Sequence, residues 1–134
     1  MLTLNFTLKK AILQALKVVP EIQFAIVFGS VAAGTQSSES DLDLAVDAGR
    51  PLVPEEKIGL IAELAERIGR PVDLIDLQTA GVPVLGQIVR HGVRILGGNR
   101  QYANLIRRHL FEDADFAPYR DRILLERRRA WIGR

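Results

Sequence analysis

Hydrophobic and polar residues alternate along this chain with two different periods, and the switches between them divide it into elements. Residues 7–20, "TLKKAILQALKVVP", place Leu8, Ile12, Leu13 and Leu16 at the spacing of an amphipathic helix. Thr7 is the expected N-cap and Pro20 the stop. "IQFAIVF" is a mostly apolar run ending at Gly29, which predicts a well-buried strand. Residues 30–40 are small and polar, so a short helical turn at most and then loop is expected. "DLDLAV" then sets Asp41, Asp43 and Ala45 against Leu42, Leu44 and Val46, a strand with one apolar face and an acidic end.

"PEEKIGLIAELAERIG" carries Pro54 near its start, acids in its first turn and Gly69 near its end, the punctuation of a helix. Its expected apolar stripe is Ile58, Ile61, Ala62, Leu64, Ala65 and Ile68. "PVDLIDL" reads as the next strand, "VPVLGQIVRHG" as a short helix, and "VRIL" as a short edge strand closed by Gly97-Gly98. From Asn99 onward the pattern is helical, with a break or bend around "DADFAP". Connections are short, so residues 1–134 are expected to form one compact domain, a small sheet flanked by helices in the α/β (α+β) class.

Composition excludes several classes. There are no cysteines, which removes disulfides and thiolate metal sites. No apolar run is long enough to span a bilayer, and the N-terminus lacks the basic-then-apolar order of a signal peptide. A cytoplasmic location without membrane contact is expected. Net charge is only +2, but residues 1–89 sum to −4 and residues 90–134 to +6. An acidic front suggests a cation site, and a basic tail an anionic contact. The tail's "RRHLF" and "LLERRRAW" lack an aromatic stacking platform, so they favour docking to a protein over direct contact with nucleic acid. Trp131 is then either core or partner anchor. His91 and His109 form no ligand cluster and read as surface residues.

Chemistry concentrates between residues 28 and 46. Asp41 and Asp43, one residue apart on a strand, point to the same face with Cα atoms roughly 6–7 Å apart. Two like charges this close repel unless a cation lies between them. Two divalent ions about 3.5–4 Å apart, bridged by carboxylates, meet that need. Mg²⁺ suits such a site because it binds a few carboxylates together with water and phosphate oxygens. Asp73 and Asp76 in the following strand both offer a third carboxylate. Gly29 and Ser30 sit at a strand end, where exposed backbone N–H groups and a hydroxyl can hold phosphate. The stretch therefore reads as a cradle for a nucleoside triphosphate and its metals.

The pattern G-S-x10-D-x-D, carried here by Gly29, Ser30, Asp41 and Asp43, resembles the signature of the polymerase-β-like nucleotidyltransferase superfamily. "SDLDLAV" is similar to the wording of its smallest branch, the minimal nucleotidyltransferases, and the order of elements matches over most of the chain. The resemblance implies a palm-like mixed sheet with a C-terminal helix, two Mg²⁺ ions and ATP as substrate. By position in the third strand it implies that Asp73 is the third metal-binding acid beside Asp41 and Asp43, Asp76 facing the other way in a regular strand. It further implies an antitoxin that transfers AMP from ATP to a tyrosine of a partner HEPN ribonuclease toxin. Two other functions fit the same residues: an antitoxin that neutralises by binding alone, and a stand-alone nucleotidyltransferase acting on a small molecule or an RNA end. One feature departs from the family. Residues 31–40, "VAAGTQSSES", contain no Lys or Arg where relatives commonly carry an arginine.

Overall fold

The computed structural model describes residues 5–29 and 41–110. Helix α1 (Phe6–Ala15) runs into a 3₁₀ turn at Leu16–Val18 and is followed by β1 (Phe24–Phe28) and β2 (Leu42–Asp47). Then come α2 (Pro54–Ile68), β3 (Val72–Asp76), α3 (Val82–His91), β4 (Val93–Leu96) and α4, helical over residues 99–110. The expected elements are present in the expected order. The stretch 30–40 and the basic tail with Trp131 lie outside the described residues.

The strands form one mixed sheet in the order β3-β2-β1-β4. β1 pairs antiparallel with β2 and with β4, whereas β2 and β3 run parallel. A parallel pair needs a crossover between its strands, and α2 provides it. Strand alternation then sorts the core into two layers. Ala25, Val27, Leu42, Leu44 and Val46 pack against Ile12, Leu16, Leu60 and Leu64 of the α1/α2 side. Phe24, Ile26, Phe28 and Ala45 face the other way, against Leu85 and Ile88 of α3 and Leu105 of α4.

Three local expectations need correction. The cap of α1 is Asn5, whose Oδ1 accepts from Leu8 N at 2.7 Å, and not Thr7, which lies inside the helix. An N-cap carboxamide does the same work as a hydroxyl, two residues earlier. On α2 the apolar stripe is displaced: Leu60 and Leu64 are buried, whereas Ile58 is 69% exposed and Ala62 is also exposed. Positions 57, 60, 61, 64, 65 and 68 form the inward face, and Ile58 falls one residue off it. Finally, His109 is half-buried rather than on the surface. Its Nδ1 is buried without a hydrogen-bond partner, and its ring lies beside Gly86 of α3.

Two polar anchors fix the path from β2 to α2. Arg50 bridges Glu56 at 2.7 Å and Glu21 at 3.2 Å. Glu56 also accepts from Val53 N at the start of α2. The Arg50 guanidinium, followed by that backbone N–H, holds the Glu56 carboxyl down at about 2. Its stabilising contribution is therefore present above the ordinary carboxylate range and is lost as pH falls toward that value. The second anchor is Asp76, the one buried charged side chain among the described residues. Its carboxylate accepts from Leu52 N at 2.8 Å and from Gln78 N at 2.9 Å. Asp76→Ala would leave the buried Leu52 N–H without that acceptor, which costs on the order of 1–3 kcal/mol. We expect a lower midpoint of urea unfolding for Asp76→Ala, with the pairing of β2 and β3 at their other end retained.

Candidate active site

The site lies where β1 ends and β2 and β3 begin. In the ladder Phe28 is opposite Asp43, and Asp43 is beside Asp73. Because β2 and β3 are parallel and in register at this pair, both carboxylates emerge on the α3 side of the sheet. The chain leaves β1 through Gly29, whose φ of +74° lies in the left-handed region that favours glycine. A Cβ placed on Gly29 would stand 2.0 Å from Oδ2 of Asp43. Backbone and carboxylate are thus in direct apposition, with no room for any other residue.

Asp43 is half-buried. Burial pushes its carboxyl above the ordinary aspartate range, and the neighbouring charges of Asp73 and Asp41 and a hydrogen bond with Asp73 push the same way. Asp73 therefore acts on Asp43 both through its charge and at hydrogen-bonding range, while Asp41 acts through its charge alone. Asp41 is exposed and sits one residue before the first residue of β2. Asp76 pairs with Val46 at the other end of the strand and is consumed by its two backbone hydrogen bonds. The structure brings Asp43 and Asp73 together and separates Asp76 from them. Ser30 lies outside the described residues.

These side chains border a cleft of about 280 Å³ lined by Phe28, Gly29, Asp43, Asp73 and Ile75, and by Pro83, Val84 and Gln87 of α3. A larger crevice of about 570 Å³ lies at the far end of the strands and includes Asp47, Gln78 and Arg108. Its one carboxylate already accepts from Gly49 N and Gln78 Nε2, so it offers no concentration of charge. The smaller cleft holds the reactive groups. Its α3 wall was not legible in the sequence. Pro83, Val84 and Gln87 share a helical face by spacing, but that this face overlies the carboxylates is a tertiary fact.

The donor set fits a hard divalent cation. Two adjacent carboxylates, a third negative charge one residue away and a backbone held hard against Asp43 suit a Mg²⁺ ion completed by phosphate oxygens and water. Among the described residues no three acidic or histidine side chains converge to hold a metal by themselves. The protein would thus contribute a partial shell, the usual arrangement for Mg²⁺ at phosphate-transfer sites.

A family model described as polymerase beta, nucleotidyltransferase matches residues 10–101. The chain is 35% identical over 79 residues to the protein adenylyltransferase MntA of Shewanella oneidensis, a match covering 59% of this chain and 57% of that protein. It thus spans little more than half the length of that relative. Among solved structures it is similar to a toxin–antitoxin crystal structure with AMP-PNP, at 27% identity and a TM-score of 0.73, covering 87% of this chain and 98% of the other. A mutant of the toxin–antitoxin MntA-HpeT gives 28% identity and a TM-score of 0.70, covering 86% and 96%.

Two outcomes follow from the crowding. The raised Asp43 carboxyl means that ionising it opposes folding, so stability falls as pH rises from the ordinary aspartate range through the elevated value. Asp43→Asn removes that penalty. At neutral pH without divalent metal, we expect it to raise Tm, and we expect Mg²⁺ with nucleotide to raise the Tm of the native protein but not of this variant. Gly29→Ala is expected to weaken binding of Mg²⁺-nucleotide at least tenfold in a calorimetric titration, since its methyl group occupies the place of the Asp43 carboxylate.

Proposed function

The chain belongs to the polymerase-β nucleotidyltransferase family, and on that premise we propose that it is a Mg²⁺-dependent protein adenylyltransferase that acts as an antitoxin on a HEPN-type toxin. The observation that carries this reading is the in-register Asp43–Asp73 pair at the mouth of the cleft, with Gly29 set against Asp43. The relative named as a protein adenylyltransferase and the similar toxin–antitoxin structure with AMP-PNP support the substrate and the partner. The cytoplasm, where ATP and Mg²⁺ are plentiful, is the compartment that suits this chemistry.

In the proposed reaction the hydroxyl oxygen of an acceptor tyrosine attacks the α-phosphorus of ATP. The new O–P bond forms as the bond to pyrophosphate breaks, and the acceptor loses its proton. Bound divalent ions would neutralise the phosphate charge and stabilise the attacking and leaving oxygens. Asp41, Asp43 and Asp73 are the residues that would hold them, two ions in all. Asp73, exposed at the cleft edge, would orient the acceptor hydroxyl and receive its proton. Gly29 and Ser30 would hold the β- and γ-phosphates through backbone N–H groups and the serine hydroxyl. Transfer of this sort is largely positioning and charge neutralisation, which a small sheet end can supply.

The competing reading is neutralisation by binding alone. The two differ in stoichiometry. An adenylyltransferase in small amount should inactivate a large excess of toxin when MgATP is present, and each inactivated toxin should gain the mass of one or more AMP groups. We expect this for the native protein and not for an Asp41→Asn, Asp43→Asn double variant at the same ratio. If neutralisation requires at least one antitoxin per toxin and the toxin's intact mass never changes, the catalytic reading is wrong and the binding reading replaces it.

A further inference from the structure

The cleft is chemically divided. At one end are Gly29, Asp43 and Asp73, which would hold the cations that draw the phosphates; among the described residues the remaining wall is Phe28, Ile75, Pro83 and Val84, all apolar, and Gln87. Its volume of about 280 Å³ is at the small end for ligand sites, which run from about 300 Å³ upward. That is room for a nucleoside and no more. A planar base suits the apolar surfaces, and a base placed there needs polar contacts at its edge.

Among the described residues Gln87 is the one side chain of that wall that can form hydrogen bonds. It is exposed on α3, one turn beyond Pro83 and Val84 on the same helical face. Among the described residues its carboxamide has no hydrogen-bond partner, so both its donor and its acceptor are available. A carboxamide is the side chain that matches adenine's edge: its NH₂ donates to N7 and its oxygen accepts from the 6-amino group. A purine with oxygen at position 6 presents two acceptors there, and the carboxamide oxygen then opposes a second oxygen.

We propose that Gln87 determines base specificity in this cleft, reading the 6-amino group and N7 of adenine and thereby selecting ATP over 6-oxopurine triphosphates. This rests on the nucleotidyltransferase reading given above and names which part of the site chooses the substrate. Such a bidentate pair, exposed as it is here, discriminates on the order of tenfold in affinity.

The test is direct binding, measured by calorimetry on the full chain with Mg²⁺ and three probes: ATP, ITP and 7-deaza-ATP. ITP exchanges only the 6-amino group for oxygen, and 7-deaza-ATP removes only the N7 acceptor. The native protein should bind ATP about tenfold more tightly than ITP, and more tightly than 7-deaza-ATP. Gln87→Leu keeps the size of the side chain and favours helix, so the fold should tolerate it. It should bind all three probes alike, with the ATP affinity reduced to that of ITP. Gln87→Glu, which keeps the acceptor and loses the donor, should penalise ATP but spare 7-deaza-ATP, which has no N7 lone pair to repel. If the native protein binds MgATP and MgITP equally, or if the Gln87→Leu ratios equal the native ones, the assignment of Gln87 is overturned while the nucleotidyltransferase reading stands. If the native protein binds none of the three, or if binding is indifferent to Asp43→Asn, the functional reading itself fails and takes this assignment with it.

Discussion

Two carboxylates held side by side on neighbouring strands set the terms for the rest of this molecule. Asp43 and Asp73 are ladder neighbours because β2 and β3 are parallel and in register there. Parallel pairing cannot be made with a hairpin, so the chain must leave the sheet after Asp47 and return along α2. Burial lifts the Asp43 carboxyl above its ordinary range, and the charge of Asp73 beside it, then that of Asp41, adds to the rise. A fold that accepts this unfavourable contact keeps a place where a cation is worth more than elsewhere on the surface.

The surrounding structure makes the contact hard to escape. Phe28 opposite Asp43 is nearly buried, and both flanking residues of Asp43, Leu42 and Leu44, are fully buried on the α1/α2 side. A shift of one residue in β2 would place those leucines on the cleft and the aspartate in the core, which fixes the register. Gly29 then closes the remaining freedom, since its backbone already touches the space of the Asp43 carboxylate. At the opposite end of β3, Asp76 ties the strand to the chain entering α2 through Leu52. One strand thus carries two acids with opposite duties: Asp73 faces the cleft and Asp76 is buried among backbone donors.

Those two duties could be told apart in the sequence, because positions 73 and 76 differ by an odd number and a regular strand must send them to opposite faces. The strand–helix order was legible for the same reason: periods of two and of 3.6 are local properties. What resisted reading depended on contacts between distant segments. Ile58 looks as apolar as Leu60, and only the docking angle of α2 decides which is covered. Asn5 and Thr7 are both acceptable caps, and the choice turns on where the first helical turn closes. Gln87 carried no signal at all, because nothing local to "VPVLGQIVRHG" says that α3 crosses the sheet over the acids. A neutral amide becomes informative only once the wall around it is known to be apolar.

The size of the cleft bears on how so small a catalyst would work. The sheet forms its floor and α3 one wall, and there is room for a nucleoside but not for a folded acceptor. On the proposed reading the acceptor side chain arrives on the surface of another protein, which would cover the cleft on docking. Water is then excluded only when the two bodies dock, which strengthens the attraction between the carboxylates and their cations at the moment it is needed. The same division of labour accounts for the stretch 31–40, which has no Lys or Arg. A cation needed on the phosphates can come from the docked partner or from the eleven basic residues that follow position 89. Either source ties phosphate neutralisation to assembly. On the proposed reading a site built this way would hold nucleotide weakly alone and become competent when its target is in place, which would limit idle hydrolysis of ATP by water.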